Sequence, residues 1–306
     1  MIKSMFSGIT GIRGHQTMMD VIANNIANVN TVGFKNSRVI FTDVFYQTLN
    51  SAAAPNSTDG STGGTNPSQV GYGAQVSTID VLNTQGGFMQ TDRSEDLYIS
   101  GEGYFIVGND ANNVYYTRVG NFNFDSMGYL VDAQGNHVRG ASIKYTIDSS
   151  TGVLTPESES GAENLDSDSI YGEPLALANL RNIQIDRNNY SNVTIGPDGK
   201  ITGINNTTGQ ITTLAQIALA TFANANGLSQ QGNLYMSSTS NSGNAVINAP
   251  NSIAAGALKT CGLEMSNVDL SKQFTDMIMA QRGLQANSRV ITTSDEILQE
   301  LVGLKR

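Results

Sequence analysis

The chain has 306 residues, of which only 14% are charged, and a formal net charge of −9, so a nucleic-acid-binding protein is not expected, because phosphate binding needs a basic surface. Two histidines and one cysteine provide few metal ligands and exclude an internal disulfide. No apolar run approaches the ~18 residues of a membrane span, and the N-terminus lacks the apolar segment and cleavage site of a secretory signal peptide.

The first 29 residues predict an amphipathic helix, because their apolar side chains alternate at spacings of three and four. Gly8, Gly11 and Gly14 each lower the stability of such a helix by about 1 kcal/mol relative to Ala. We therefore expect a helix that is weak alone and needs a packing partner. The apolar positions are Ile2, Met5, Ile9, Ile12, Met19 and Ile26.

The central part of the chain predicts short antiparallel strands, arranged as a β-sandwich or barrel. Turn signals at 125–128 and 196–199 separate pairs of apolar, strand-like runs. In the second turn Pro197 presets φ and Gly199 allows a positive φ. The segment 216–222 predicts one further strand.

Three stretches interrupt this pattern. Residues 50–78 are rich in Ser, Thr, Gly, Ala and Asn and predict a long flexible loop. Residues 148–173 hold only acidic charges and predict an exposed acidic face. No charged residue lies between Lys200 and Lys259. Such an uncharged surface suits a protein whose neighbours are other protein surfaces, although many secreted β proteins share it.

The side chains capable of chemistry form no catalytic pattern. Gly101 and Gly103 lie between two strand-like runs and predict a hairpin turn, since the third glycine of a dinucleotide-binding fingerprint is absent. We interpret His15 as a packed or surface histidine, His137 as a polar residue at a strand edge, and Cys261 as a small buried residue. We therefore expect neither an enzyme nor a cofactor nor a metal site.

The last forty or so residues predict a second long helix, over about 266–303, with Ser266 or Asn267 as N-cap and Asp269 in the first turn. A two-helix hairpin cannot bury both a main seam and a flanking stripe, so we interpret the two ends as oligomerising surfaces. The alternative is an ordinary pair of core helices. The predicted seam is Leu270, Phe274, Met277, Gln281, Leu284, Ser288, Ile291, Asp295, Leu298 and Val302, and the flanking stripe is Ile278, Val290, Ile297, Leu301 and Leu304.

Several motifs in the chain are similar to those of one protein family. The run ANNIANVNTVGFK at 23–35 resembles the N-terminal signature of the bacterial flagellar rod, hook and hook-associated proteins. GLEMSNVDL at 262–270 and MAQRGLQANS at 279–288 resemble the closing helix of the flagellar hook protein. DLYISGEGYF at 96–105 and YTRVGNF at 116–122 look like the β domain that hook and distal rod share. The resemblance covers nearly the whole chain and is weakest at 50–70 and 141–175.

Within this family the sequence favours a short hook protein of Gram-positive type, with the distal rod as the alternative. The segment 220–224 and the start of the closing helix look like the hook. The length of 306 residues and the run Tyr46-Gln47-Thr48 followed by a loop look like the distal rod. A soluble β-rich adhesin, which would need a pocket or aromatic patch instead of the termini, is a third and less favoured class.

The resemblance implies an α+β fold in three regions. Residues 1–34 and 264–306 would pair as a coiled-coil layer. Residues 35–80 and 225–263 would form an extended connecting region with a flexible loop at 50–70, and 81–224 would form a β-rich outer domain with an antiparallel sandwich or barrel.

The family also implies a helical homopolymer that transmits torque and serves as an export conduit. Its partners would be further copies of the chain, flagellar rod proteins, the hook cap, the hook–filament junction proteins and the type III export apparatus, at a location outside the cytoplasmic membrane. We expect no nucleic acid and no membrane insertion. The residues expected at subunit interfaces are Ile9, Ile12, Met19, Ile22, Asn24, Asn25, Ile26, Asn28, Gly33, Phe34, Asn267, Leu270, Phe274, Met277, Gln281, Leu284, Ile291 and Leu298.

Overall fold

The computed structural model describes residues 2–54, 63–110, 113–142, 145–147, 154–156 and 180–304. The chain folds into two compact units. The first comprises Met1–Val29, Asn36–Leu82 and Val268–Arg306, and the second comprises Asn30–Lys35 and Asn83–Asn267. Apart from 154–156, the predicted acidic face at 148–173 lies outside the described residues.

Two long helices, α1 (Ile2–Ala27) and α2 (Leu270–Gly303), belong to the first unit. Both confirm the helices that the periodicity predicts. The N-cap of α2 is Asp269, not Ser266 or Asn267, because the Asp269 carboxylate accepts hydrogen bonds from the backbone amides of Ser271 at 2.9 Å and Lys272 at 3.3 Å. A side-chain oxygen placed to reach those two amides is what an N-cap requires.

Four strands complete the first unit: β1 (Ser37–Asp43), β2 (Tyr46–Asn50), β3 (Ser68–Gly71) and β4 (Ala74–Val81). β1 pairs antiparallel with β4, and β2 pairs antiparallel with β3. Residues 68–71 and 74–78 of the predicted loop at 50–78 are therefore strand, because 68–71 pair with 46–50 and 74–81 pair with 37–43. An isolated bridge between Ala53 and Thr65 extends the β2–β3 pairing. The centre of the predicted loop, 55–62, lies outside the described residues.

The second unit is built from antiparallel strands. A five-stranded sheet has the order β14-β11-β17-β16-β15, and a six-stranded sheet has the order β19-β20-β8-β7-β18-β21. A short 3₁₀ helix, Ala225–Gly227, precedes β19. The strands are β5 (Phe88–Gln90), β6 (Leu97–Ser100), β7 (Tyr104–Asp110), β8 (Asn113–Thr117), β9 (Asn123–Phe124), β10 (Leu130–Val131), β11 (Arg139–Ser142), β12 (Tyr145–Ile147), β13 (Leu154–Pro156), β14 (Arg181–Asn182), β15 (Tyr190–Ile195), β16 (Lys200–Asn205), β17 (Ile211–Ile217), β18 (Leu219–Thr221), β19 (Ser229–Gly232), β20 (Tyr235–Ser237), β21 (Val246–Asn248), β22 (Ala257–Thr260) and β23 (Gly262–Glu264).

Strand β7 shows how the core of this unit is organised. Phe105 and Val107 point into a core shared with the five-stranded sheet, whereas Tyr104 and Ile106 point to a second apolar cluster on the opposite face. Because side chains alternate along a strand, β7 is buried on both faces. The predicted α+β fold with paired terminal helices and an antiparallel β domain is confirmed.

The turn chemistry is confirmed at two places and wrong at one. Gly128 and Gly199 have φ values of +82° and +72°, as their turns require. Gly101 and Gly103 do not close a hairpin, because β6 pairs with β22 while β7 pairs with β8 and β18. Their φ values of +126° and +132° let the chain leave one sheet and enter another.

Two smaller expectations also change. The single strand predicted at 216–222 is two strands, since β17 ends at Ile217 and β18 begins at Leu219 with a different set of partners. Cys261 is partly exposed and has a φ of +56°, so it is a residue of a tight turn between β22 and β23 and not a small core residue.

Candidate assembly surface

Helices α1 and α2 pack against each other in antiparallel fashion. A methyl group at Gly8 would lie 3.2 Å from Cγ1 of Ile291, and Gly283 packs under the ring of His15. Close approach of this kind needs residues without bulky side chains. The glycines that weaken α1 as an isolated helix are therefore the positions where other elements approach it most closely. Helix α2 is the packing partner that the sequence of α1 leads us to expect.

The buried face of α2 differs from the predicted seam. Its buried side chains are Gln273, Ala280 and Ser294, which lie at heptad spacing with half-buried residues such as Ile291 between them. The face of α2 that packs on α1 is thus rotated around the helix axis relative to the predicted seam. Four members of that seam, spaced seven residues apart, are half-buried at the edge of the contact with α1: Met277, Leu284, Ile291 and Leu298. The other members of the predicted seam are exposed. Small and polar residues face α1 because its glycine-bearing surface leaves no room for large ones.

A buried amide joins three elements of the first unit. The side chain of Asn25 donates to the carbonyl of Ser37 at 2.7 Å and to Oε1 of Gln273 at 3.1 Å, and it accepts from the Ser37 amide at 2.9 Å. Asn25 is 1% exposed and Gln273 is 5% exposed. A buried polar group is tolerated only when it is hydrogen-bonded, so this amide sets how α1, β1 and α2 meet.

Many large apolar side chains of the two helices face outward. The most exposed are Leu304 at 83% and Val302 at 71%, and about half of the surface of Phe6, Phe274 and Ile297 is exposed. Exposed large apolar side chains concentrated on one part of a protein indicate an interaction site. The exposed large apolar residues of the two helices are Phe6, Ile9, Leu270, Phe274, Ile278, Met279, Val290, Ile297, Leu301, Val302 and Leu304.

The residues expected at subunit interfaces fall into three groups. Ile22, Asn25 and Gly33 are buried within the chain, so they support the fold of the subunit itself. Ile9, Asn24, Leu270, Phe274 and Gln281 are exposed. The remaining ten are half-buried: Ile12, Met19, Ile26, Asn28, Phe34, Asn267, Met277, Leu284, Ile291 and Leu298.

The second unit contains a buried ion-pair cluster, which we call the clasp (Lys35, Arg118 and Glu264). Lys35 Nζ lies 2.5 Å from Glu264 Oε1 and donates to the Thr84 carbonyl at 2.7 Å. The same Glu264 oxygen accepts from the Gly86 amide at 2.9 Å, and Arg118 Nη1 lies 3.5 Å from the other carboxylate oxygen. The side chains of Lys35 and Glu264 are 2% and 1% exposed.

Two further hydrogen bonds reinforce the clasp. The Gly33 amide donates to the Glu264 carbonyl at 2.8 Å, and the Asn267 side chain donates to the hydroxyl of Thr84 at 2.9 Å. Gly33 has a φ of +73°, a backbone conformation that glycine adopts readily because it has no Cβ atom. Within the second unit, the segments 33–35 and 264–267 are therefore bound to each other and to residues 84–86.

Burial lowers the pKa of Lys35 below its ordinary value of 10.5, and this effect outweighs the attraction of Glu264, which raises it. For the charged ammonium, the loss of hydration on burial is thus larger than the attraction that Glu264 provides. Sequence reasoning missed this cluster, although Lys35 and Glu264 both lie in the motifs that carry the family resemblance.

An open cavity of about 320 Å³ lies beside β15 in the second unit. Its lining includes Phe124 and Arg187, whose guanidinium covers the Phe124 ring at 4.6 Å. In this cavity, one face of the Phe124 ring is therefore covered by the Arg187 side chain. Among the described residues no cluster of three His, Cys, Asp or Glu side chains could hold a metal ion, and no helix is long and apolar enough to cross a membrane.

Comparison with known proteins matches the three parts of the chain to three family descriptions. Residues 98–203 match the flagellar hook protein FlgE/F/G D1 domain, 262–304 match the flagellar basal body rod FlgEFG protein C-terminal region, and 8–35 match the flagella basal body rod protein. The first range lies in the β-rich second unit, and the other two include most of α2 and α1.

Full-length relatives agree with these matches. The flagellar basal-body rod protein FlgG of Bacillus subtilis is 42% identical over 310 residues, covering 100% of both chains. The flagellar hook protein FlgE of Borreliella burgdorferi is 32% identical over 445 residues, also covering 100% of both. FlgG of Agrobacterium fabrum is 33% identical over 97% of both chains. The chain therefore belongs to the family of flagellar hook and basal-body rod proteins.

Proposed function

We propose that this protein is a structural subunit that polymerises into a helical section of the flagellar axis. The observation that carries the proposal is the outward-facing apolar surface of α1 and α2. Covering a half-exposed Leu, Ile or Phe contributes roughly 1 kcal/mol. Some ten such side chains supply on the order of 10 kcal/mol, enough to offset much of the cost of immobilising a subunit.

The finer assignment that we propose is the hook, the flexible joint that transmits torque from rod to filament. The hook-like segments at 220–224 and 266–272 support it. On this proposal the subunit reaches its site through the type III export apparatus and meets rod, hook-cap and hook–filament junction proteins. A central channel lined by the terminal helices would serve as the export conduit.

The distal rod is the second candidate, and the Bacillus subtilis relative favours it. That rod protein aligns over 310 residues with full coverage of both chains, whereas the Borreliella hook protein needs 445. The β2–β3 pairing, which begins at Tyr46, lies in the region where the sequence looks like the rod. A hairpin that inserts between neighbouring subunits would resist the sliding on which bending depends.

Electron microscopy of the concentrated, purified protein tests both assignments. We expect tubes; curved, bendable tubes support the hook, and straight, stiff tubes support the rod. Replacing exposed Phe274 by Asp should abolish tubes and leave the melting temperature unchanged, because its surface is free in the subunit. Ser288→Asp, on a polar part of the same helix, is the matched control. A wild-type protein that stays monomeric at every concentration would refute the proposal.

A further inference from the structure

Asn226 and Gly227 form the sole Asn-Gly pair in the sequence. An asparagine in this context can modify itself, because the backbone nitrogen of the next residue can attack the side-chain carbonyl carbon and close a five-membered ring. Glycine in the second position favours the attack, since it has no Cβ atom and its backbone adopts more conformations than that of any other residue. Asn226 is exposed, so water can reach the ring that forms.

A second asparagine bonds to the group that would react. Nδ2 of Asn83 donates to Oδ1 of Asn226 at 2.7 Å, and both residues belong to the second unit. When the nitrogen of Gly227 attacks Cγ of Asn226, negative charge develops on that same Oδ1. A donor placed at the oxygen where charge develops stabilises the transition state, as the donors of an oxyanion hole do.

The turn that contains Asn226 is weakly bonded at the attacking nitrogen. In the 3₁₀ helix, the Gly227 amide donates to the Asn224 carbonyl at 3.2 Å, the long end of the range for such bonds. Releasing that amide breaks one hydrogen bond of a single helical turn. The Gly227 carbonyl accepts from the hydroxyl of Thr239 at 2.5 Å, which keeps the turn in position while the amide reacts.

We propose that Asn226 is a site of spontaneous deamidation and that Asn83 accelerates the reaction. The Gly227 nitrogen forms a bond to Cγ of Asn226, the bond from Cγ to Nδ2 breaks, and the proton of the Gly227 amide leaves with Nδ2 as ammonia. Water then opens the succinimide ring at either carbonyl carbon, which gives aspartate or isoaspartate at position 226. The inference does not depend on the proposed self-assembly.

Both products change the surface of the second unit. Aspartate places a carboxylate in the segment between Lys200 and Lys259, which otherwise has no charged residue. Isoaspartate lengthens the backbone by one carbon atom next to Gly227, where even a methyl group would lie 2.8 Å from the backbone nitrogen of Ser242. The isoaspartate form should therefore displace the turn from the segment 239–242.

Peptide mapping by mass spectrometry measures the conversion. The purified full-length chain is incubated at mildly alkaline pH, once folded and once unfolded in concentrated urea. Trypsin has no cleavage site between Lys200 and Lys259, so a protease that cuts after aromatic residues is used, and the mass change from amide to acid is located by fragmentation. In the folded chain, Asn226 should convert faster than Asn241, an exposed asparagine that is followed by serine.

Two variants test the role of Asn83. Asn83→Ala removes the donor, and Asn83→Asp keeps its size but replaces the donating amide by a carboxylate, which only accepts. In the folded chain, each should convert at Asn226 about fivefold more slowly than the wild type, the factor expected for one hydrogen bond. In urea the contact is absent, so the variants and the wild type should convert at the same rate. Asn226→Gln is the matched control and should convert far more slowly, because its longer side chain would close a six-membered ring.

Two results would overturn the inference. If Asn226 of the folded wild type stays unmodified while the unfolded chain converts, the fold protects the site. If the folded Asn83 variants convert as fast as the folded wild type, the contact between the two asparagines does not assist the attack.

Discussion

Removing one member of the clasp should destabilise the second unit far more than removing an exposed ion pair. Lys35→Met leaves the Glu264 carboxylate buried, with only the Gly86 amide and the more distant Arg118 as partners. Breaking a buried ion pair costs about 3–5 kcal/mol, and the lower end of that range applies because Arg118 remains 3.5 Å from the carboxylate. The Thr84 carbonyl also loses its ammonium donor. We therefore expect Lys35→Met to cost at least about 3 kcal/mol.

A double variant tests whether the cost comes from the pairing. Glu264→Gln alone leaves the Lys35 ammonium without a counter-charge, while retaining an oxygen for the Gly86 amide. In the double variant neither Lys35 nor Glu264 keeps an unmatched charge, although Arg118 also loses the carboxylate that it faces at 3.5 Å, so the cost should fall below the sum of the two single costs by about 1–3 kcal/mol. Because burial lowers the pKa of Lys35, the lost hydration of the ammonium offsets part of the stability that the pairing contributes.

Urea unfolding followed by circular dichroism measures these costs. At about 2–4 °C per kcal/mol for a unit of this size, Lys35→Met should lower the melting temperature by roughly 6–12 °C. The control is Arg38→Met, which breaks the Arg38–Asp80 pair, whose side chains are 58% and 36% exposed; it should cost under about 1 kcal/mol. The reasoning would be refuted if Lys35→Met and Arg38→Met lowered the free energy of unfolding equally. It would also be refuted if the cost of the double variant equalled the sum of the two single costs.

Three further outcomes are expected. Gly14→Ala places a methyl group 2.8 Å from Cε1 of Phe41, an overpacking cost of about 1–3 kcal/mol from which the gain in helix propensity removes about 1 kcal/mol, so the first unit should lose up to about 2 kcal/mol. Gly303→Ala, with open space around it, should be neutral or stabilising in the same denaturant titration. Asn25→Ala leaves buried backbone groups unpaired and should cost about 1–3 kcal/mol; a melting temperature like that of the wild type would contradict the buried contacts. Burial raises the pKa of Tyr116 above its ordinary 10.0. The stability that the protonated hydroxyl contributes is therefore complete below pH 10 and is lost as the pH rises through the raised pKa. Tyr116→Phe should lose less stability than the wild type as the pH rises above 10.

The sequence by itself determines the elements that depend on local chemistry. The spacing of apolar residues is enough to predict α1 and α2, since a helical period is a property of neighbours in the chain. The turns at 125–128 and 196–199 follow from Pro and Gly, whose backbone preferences act within four residues. The family motifs at both ends are likewise continuous runs, so the flagellar resemblance needs no three-dimensional information.

Tertiary structure alone decided which face of each helix turns inward and what joins distant segments. Periodicity cannot distinguish the small, polar seam at Ala280 from the apolar stripe through Phe274, because that choice depends on how closely the glycine face of α1 approaches. The clasp joins Lys35 to Glu264 across 229 positions, a separation that no local pattern encodes. Burial makes that pairing necessary, because a charge removed from water is costly unless an opposite charge lies beside it, and only the fold brings the two together.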